Sequence, residues 1–162
     1  MISAWEICRL FLGLLAVSLE PWPLHDLSVG PQTVSREALV FIDRQTVVFL
    51  ENGRESNLAL VSTGRAGYDT PTGDFTILYR RRSPVSSSYN VRMPYWLCIH
   101  PSGQIGLHQT FLNGMNALGT RQSHGCIRMG RNTARWSYDW LTVGSDVKVL
   151  ELSPGGIFGG ND

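Results

Sequence analysis

The sequence has three cysteines, a single lysine, almost no net charge and no apolar run long enough to span a membrane. The cysteines lack CxxC spacing and form no disulfide framework, so neither a dithiol redox centre nor a zinc ribbon is indicated. Fourteen basic residues nearly cancel thirteen acidic ones, and we therefore expect no nucleic-acid partner. Thirteen of the basic residues are arginines, whose planar guanidinium suits carboxylate recognition.

The N-terminal segment has the layout of a secretory signal peptide. Residues 10–19 form a short apolar segment, and small residues precede a cleavage position after Ser18. The alternative is an amphipathic helix that packs on the domain. We predict a signal peptide in residues 1–18, with export to the periplasm or cell envelope, and a proline-containing linker in residues 19–36.

Short β-branched and aromatic runs follow, separated by turns. Residues 39–43, 46–50 and 56–62 predict a three-stranded meander, in which Asn52 and Gly53 form a type I′ hairpin turn. Further strands are expected at residues 75–79, 93–100, 105–108 and 146–151.

The remaining segments predict loops and one helix. Residues 62–74, 80–88 and 109–122 are interpreted as loops, the second of them solvated and mobile. Asn132 is expected to cap a helix that runs to about Leu141, with two tryptophans on one face. We predict one mainly β domain in residues 37–151, a β-sandwich or mixed sheet with one or two short helices, and a flexible tail in residues 152–162.

Reactive side chains concentrate between residues 106 and 129. The Cys126 thiol needs a base to become a nucleophile, and both His124 and His108 could serve. In an extended segment His124 shares a face with Cys126, whereas His108 ends an expected strand and could return across a loop. Sequence position alone does not decide which of the two histidines is the base. Gly125 has no side chain, so a substrate carbonyl could approach the main-chain N–H groups beside it.

Three interpretations of these residues compete. They could be inert parts of a packed turn. They could bind zinc through His124, Cys126 and either His108 or His100, although the spacing matches no paired-ligand signature and no supporting carboxylate is evident. The third interpretation is a cysteine acyltransferase or hydrolase, in which a histidine moves the proton.

Several ordered blocks resemble the YkuD-type L,D-transpeptidase family. The motif Ser123-His124-Gly125-Cys126-Ile127-Arg128 follows an upstream histidine, and the similarity runs from about residue 37 to residue 151. The blocks that precede the motif stand in the family's order: residues 61–64, 70–77, 93–96 and 106–108. This order is more specific than a lone His-Gly-Cys triplet.

The resemblance implies a mostly β, monomeric domain that acts on peptidoglycan stem peptides without a metal or an organic cofactor. Cys126 would attack the carbonyl of the third stem residue and expel the terminal D-alanine. The thioester would pass to an amine of another stem, giving a 3→3 cross-link, or to a lysine of an outer-membrane lipoprotein. Water as acceptor would make the protein an L,D-carboxypeptidase. A catalytically silent wall-binding domain is the alternative from another class.

The resemblance also assigns roles to individual residues. His108 would be the general base, oriented by the main-chain carbonyl of Gln109, where many members of the family have glycine. Arg128 would lie near a substrate carboxylate. Tyr95 and Trp96 would complete the cleft from a neighbouring strand. The oxyanion hole and the adjoining cleft would be shaped by Ser123, His124 and Gly125.

Overall fold

The computed structural model describes residues 33–152, so the predicted signal peptide and the end of the chain lie outside the described residues. The strands are β1 (Arg36–Phe41), β2 (Thr46–Glu51), β3 (Arg54–Ser62), β4 (Gly73–Thr76), β5 (Tyr79–Arg81), β6 (Trp96–Cys98), β7 (Gly106–Gln109), β8 (Ile127–Met129) and β9 (Asp146–Leu150). The α-helix α1 spans Arg131–Trp140, and a 3₁₀ helix spans Leu112–Ala117. This content of strand confirms the predicted mainly β class.

The strands form one mixed sheet in the order β4-β9-β1-β2-β3-β8-β7-β6-β5. The pairs β1/β9 and β7/β8 are parallel, and the other pairs are antiparallel. The two outermost strands, β4 and β5, are consecutive in the chain. Only Ile77 and Leu78 separate them, so the sheet curls until its two edges come close together.

The predicted meander is confirmed. Strands β1, β2 and β3 pair in sequence, and Asn52 and Gly53 at the second turn have φ values of 51° and 75°. Two successive positive φ angles are what a type I′ turn requires.

The strand predicted at residues 75–79 is wrong as a single element, because the chain changes partners within it. Ile77 N–H donates to Ser145 O beside β9, whereas Leu78 N–H donates to Cys98 O in β6. The following residue belongs to β5, and so does Arg80, which was predicted to lie in a solvated loop. The Arg80 guanidinium lies 4.3 Å from the centroid of the Tyr138 ring and is thus anchored on α1.

Helix α1 lies close to its predicted position but begins one residue before the predicted cap, after Gly130. Trp136 and Trp140 share one face, with ring centroids 4.9 Å apart, and the Phe49 ring meets Trp136 edge-on at 5.0 Å. This contact packs α1 on the sheet. The 3₁₀ helix lies within residues 109–122, which were predicted to be a loop.

The core is apolar and lies between the curled sheet and α1. Leu107, Ile127 and Met129 are fully buried in it, which fixes strands β7 and β8 at the centre of the domain. Among residues 33–152, no helix combines the length and the apolar character needed to traverse a bilayer.

Candidate active site

The parallel pair β7/β8 positions the reactive residues. Leu107 lies beside Ile127 in the register, and His108 lies beside Arg128. Because alternate residues of a strand point to opposite faces, burial of Leu107 and Ile127 in the core turns His108 and Arg128 to the other face. Cys126, two residues before Arg128, joins them there. The seventeen intervening residues therefore separate His108 and Cys126 in sequence but not in space.

That face borders a cleft of about 880 Å³. Five of the predicted site residues line it: Cys126, His108, His124, Arg128 and Trp96. Ser123 and Gly125 are buried in the turn that precedes Cys126, and Gln109 takes part through its main-chain oxygen. Tyr95 is not part of the cleft lining. Its backbone has φ 59°, and its ring lies beside Tyr138 at 5.8 Å, so it contacts α1 instead.

His108 is held in one tautomer and kept neutral. Its Nδ1–H donates to the main-chain oxygen of Gln109 at 2.8 Å, which leaves Nε2 with a free lone pair. The side chain is only 6% exposed. Burial lowers the pKa of His108 to about 4, against a smaller raising effect of the Gln109 carbonyl, and Arg128 lowers it further. At neutral pH this imidazole can therefore accept a proton.

Cys126 is a partly exposed thiol whose pKa is raised, chiefly by burial. The main-chain N–H of Gly106 and the positive charge of Arg128 act in the opposite direction. The thiol donates to the main-chain oxygen of Gln104, with Sγ 3.3 Å from that oxygen. Since a neutral thiol and a neutral imidazole border the same cleft, nucleophilic attack at this site requires proton transfer in the reaction itself.

A tight turn aims Cys126 into the cleft. Ser123 Oγ accepts the Gly125 N–H at 3.0 Å and donates to the Cys126 carbonyl at 2.5 Å. Gly125 has φ 107°, and a Cβ there would lie 2.8 Å from Ile105 Cδ1, so only glycine fits without strain. The Gly125 N–H is committed to Ser123, so the main-chain donors near the sulfur include the N–H groups of Cys126 and Gly106.

Thr70 supports this turn from a distant part of the chain. From the sequence it was placed in a family-like block but was assigned no role of its own. Its Oγ1 accepts the Gly64 N–H at 2.8 Å and donates to the Gly125 carbonyl at 2.8 Å. Thr70 is 3% exposed. Arg121 fixes the same loop from its other side, because its Nε donates to the Gly64 carbonyl at 2.9 Å and its Nη2 pairs with Asp69 at 2.6 Å.

Replacing Thr70 with valine is expected to loosen the turn, because valine keeps the shape of threonine but leaves the Gly64 N–H and the Gly125 carbonyl without their partner. Each buried group left unsatisfied costs about 1–3 kcal/mol. Urea denaturation should show this loss, and Thr70→Ser, which keeps the hydroxyl, should recover most of it. Equal stability of the two variants would contradict the role of the Oγ1 bridge.

Residues 82–95 form a hairpin over the cleft, where the sequence had predicted a mobile solvated loop as far as residue 88. Val85 and Arg92 form an isolated antiparallel bridge, and the Ser86 N–H donates to the Val91 carbonyl at 2.8 Å. At the tip, the Tyr89 ring lies 4.6 Å from the His124 ring. The sequence missed this hairpin because the register depends on main-chain hydrogen bonds in a serine-rich segment.

His124 lies between two aromatic rings at the mouth of the cleft. The Tyr68 ring meets it edge-on with the ring centroids 4.8 Å apart, and the hairpin residue Tyr89 also contacts it. Burial lowers the pKa of His124, and the charges of Arg65 and Arg128 lower it further. Within residues 33–152, no three His, Cys, Asp or Glu side chains are grouped so that they could hold a metal ion.

The sequence and the fold are similar to those of known L,D-transpeptidases. L,D-transpeptidase 1 of Mycobacterium tuberculosis is 27% identical over 149 residues, which cover 80% of this chain and 59% of that protein. The crystal structure of an L,D-transpeptidase from M. tuberculosis H37Rv is 28% identical, with a TM-score of 0.68, over 73% of this chain and 58% of that one. L,D-transpeptidase 3 of M. tuberculosis, solved with a faropenem-derived adduct, is 26% identical, with a TM-score of 0.64, over 73% and 61%.

The chain spans 40% to 59% of the length of the curated relatives that it matches. A family model described as the L,D-transpeptidase catalytic domain matches residues 35–149, from the first strand almost to the end of β9. This match confirms the family indicated by the ordered sequence blocks, and the chain belongs to the YkuD family of L,D-transpeptidase catalytic domains.

Proposed function

We propose that the protein is a peptidoglycan L,D-transpeptidase in which Cys126 is the nucleophile and His108 the general base. The observation that carries the proposal is the geometry of β7 and β8. A neutral, buried imidazole with its Nδ1–H fixed by the Gln109 carbonyl borders the same cleft as the one partly exposed thiol among the described residues. Family membership supports peptidoglycan peptides as the substrate class. Within that class, the proposed acyl donor is the third residue of a stem peptide.

The proposed first half-reaction forms a thioester. The Cys126 sulfur bonds to the carbonyl carbon of the third stem residue, and the bond from that carbon to the nitrogen of D-alanine breaks. The thiol proton passes to Nε2 of His108 and from there to the departing amine. In the second half-reaction an acceptor amine attacks the thioester, its proton passes through His108, and the thiol is regenerated. No metal or organic cofactor is needed to balance either step.

In the absence of substrate, the hydrogen bond of the Cys126 thiol is not the one that this mechanism needs. The thiol donates to Gln104 O, so the hydrogen bond from Sγ to His108 is one that the substrate complex has to form. The negative charge that develops on the substrate oxygen requires main-chain donors. We assign this role to the N–H of Cys126, with Ser123 and Gly125 holding the turn and His124 forming a wall of the cleft.

The proposal extends to the cellular location and to the acceptor. Cross-linked stems exist outside the cytoplasm, which fits the predicted export to the periplasm or cell envelope. The acceptor is an amine of a second stem peptide, and a lysine of an outer-membrane lipoprotein has the same chemistry. We propose that the domain acts as a monomer.

Incubation of the protein with a disaccharide-tetrapeptide tests the proposal. We expect mass spectrometry to detect free D-alanine, a cross-linked dimer and an acyl adduct on Cys126. Release of D-alanine with tripeptide as the only other product would instead show an L,D-carboxypeptidase. Binding of the substrate without an adduct and without turnover would identify a wall-binding domain and contradict both enzymatic alternatives.

A further inference from the structure

Arg128 is a partly buried guanidinium beside the nucleophile, and no carboxylate of residues 33–152 forms an ion pair with it. Its polar contact is a long one, with Nη1 3.4 Å from the Gln122 carbonyl. The ion pairs formed by residues 33–152 involve other basic residues, namely Arg36, Arg121 and Lys148. Burial lowers the pKa of Arg128, which reflects the loss of water around its charge. Such a charge costs free energy unless an anion compensates it.

The rest of the cleft supplies no such anion. Among the described residues that line it there is no aspartate and no glutamate, whereas Arg81 and Arg128 are both present. Arg65 adds a third positive charge close enough to lower the pKa of Arg128 and of His124. The region around Cys126 is therefore complementary to a carboxylate that arrives with the substrate.

The strand register indicates which substrate carboxylate this is. His108 and Arg128 are direct neighbours in the parallel pair β7/β8 and point to the same face. In the proposed first half-reaction the departing amine receives its proton from His108, so its nitrogen lies beside that imidazole. In a terminal amino acid the carboxylate is attached to the carbon bonded to that nitrogen. It is thus carried towards Arg128.

We propose that Arg128 binds the terminal carboxylate of the departing residue and thereby selects donors that end at that residue. A donor with a further residue, or with an amidated terminus, presents a neutral amide to the guanidinium and leaves the charge uncompensated. This inference rests on the proposed transpeptidase function. It goes beyond that function because it makes one side chain responsible for the length of the donor peptide.

The test uses the full chain and two matched tetrapeptides that differ only in a C-terminal carboxylate or carboxamide. Release of D-alanine or D-alaninamide, measured by mass spectrometry, gives kcat/KM for each. Because charge-assisted pairs are strong in partly dehydrated sites, we expect the wild type to prefer the acid by roughly 10- to 100-fold. Arg128→Gln should reduce this preference to within about threefold, because cleavage of the carboxylate peptide becomes slower. Arg128→Lys should keep an intermediate preference.

Arg135→Gln, at an exposed position of α1, is the matched control and should leave the preference unchanged. Equal cleavage of both peptides by the wild type would overturn the inference, and so would an unchanged preference in Arg128→Gln. An equal fall of kcat/KM for both peptides in Arg128→Gln would show that Arg128 is structural or binds another carboxylate of the donor. This result would also overturn the inference. Absence of cleavage of either peptide by the wild type would refute the proposed function itself.

Discussion

Replacing Cys126 with alanine is expected to abolish D-alanine release and acyl-enzyme formation. The proposed reaction passes through a thioester, and without the sulfur no covalent intermediate can form. The rate should fall by at least about 10⁴-fold, because only substrate binding and oxyanion stabilisation remain. Mass spectrometry of the protein after incubation with a disaccharide-tetrapeptide should show no adduct. The fold should persist, since Cys126 is only partly buried at the rim of the cleft.

Cys98 provides the control for this experiment. Its side chain is fully buried in β6, and its sulfur lies 3.4 Å from the His100 carbonyl and 3.7 Å from the Ile105 carbonyl. Cys98→Ala should therefore retain the acyl adduct, with a change in stability of the size expected for a small buried side chain. An adduct that persists in Cys126→Ala, or disappears in Cys98→Ala, would identify Cys98 as the nucleophile.

The parts of the fold that depend on local pattern were predictable from the sequence. Alternating β-branched residues and the Asn52-Gly53 turn are sufficient for the meander, because a hairpin register is fixed by residues close in the chain. The two tryptophans of α1 lie four residues apart, so helical periodicity places them on one face. The split between β4 and β5 was not predictable, because residues 75–79 read as one strand whichever neighbours they pair with.

The candidate site was predictable only in part, for a similar reason. Thiol reactivity indicates Cys126 as a candidate nucleophile, and the family resemblance adds His108 and Arg128 as candidates, without any knowledge of the fold. The Thr70 bridge to Gly125 joins residues 55 apart in sequence, and a threonine in a Gly- and Pro-rich loop has no local signature for such a contact. Tyr95, in contrast, was predicted to complete the cleft but contacts α1 instead. Strand alternation cannot foresee the positive φ that turns its ring towards α1.

His108→Gln is expected to reduce acylation by about 10²- to 10⁴-fold, the usual contribution of a positioned general base. The thiol of Cys126 has a raised pKa, so few molecules carry a thiolate at neutral pH, and attack depends on proton transfer to Nε2. His124→Gln is the matched comparison. Its imidazole forms part of the cleft wall between two tyrosines, and we expect a smaller loss of rate. A larger loss in His124→Gln would reverse the assignment of the base.

His108→Gln should also change how the acylation rate depends on pH. In the wild type, acylation should remain constant as the pH falls through 6.5, the ordinary imidazole pKa, and decline only towards pH 4, because the pKa of His108 is lowered to about 4. Residual acylation by His108→Gln should instead rise steadily with pH as thiolate forms. A wild-type decline centred near pH 6.5 would contradict a buried, neutral His108 as the group that accepts the proton.

The pH dependence of folding stability is an independent measurement of the protonation state of His108. Between pH 6.5 and about pH 4 the unfolded state binds a proton at His108 that the native state does not, so wild-type stability should fall across this window. The loss is on the order of 3 kcal/mol and should be complete below pH 4, where both states are protonated. His108→Gln lacks this site. The stability difference between variant and wild type, measured by urea denaturation, should therefore shift in favour of the variant as the pH falls from 7 to 4. A difference that does not change with pH would show that His108 is already protonated in the native state or is not buried.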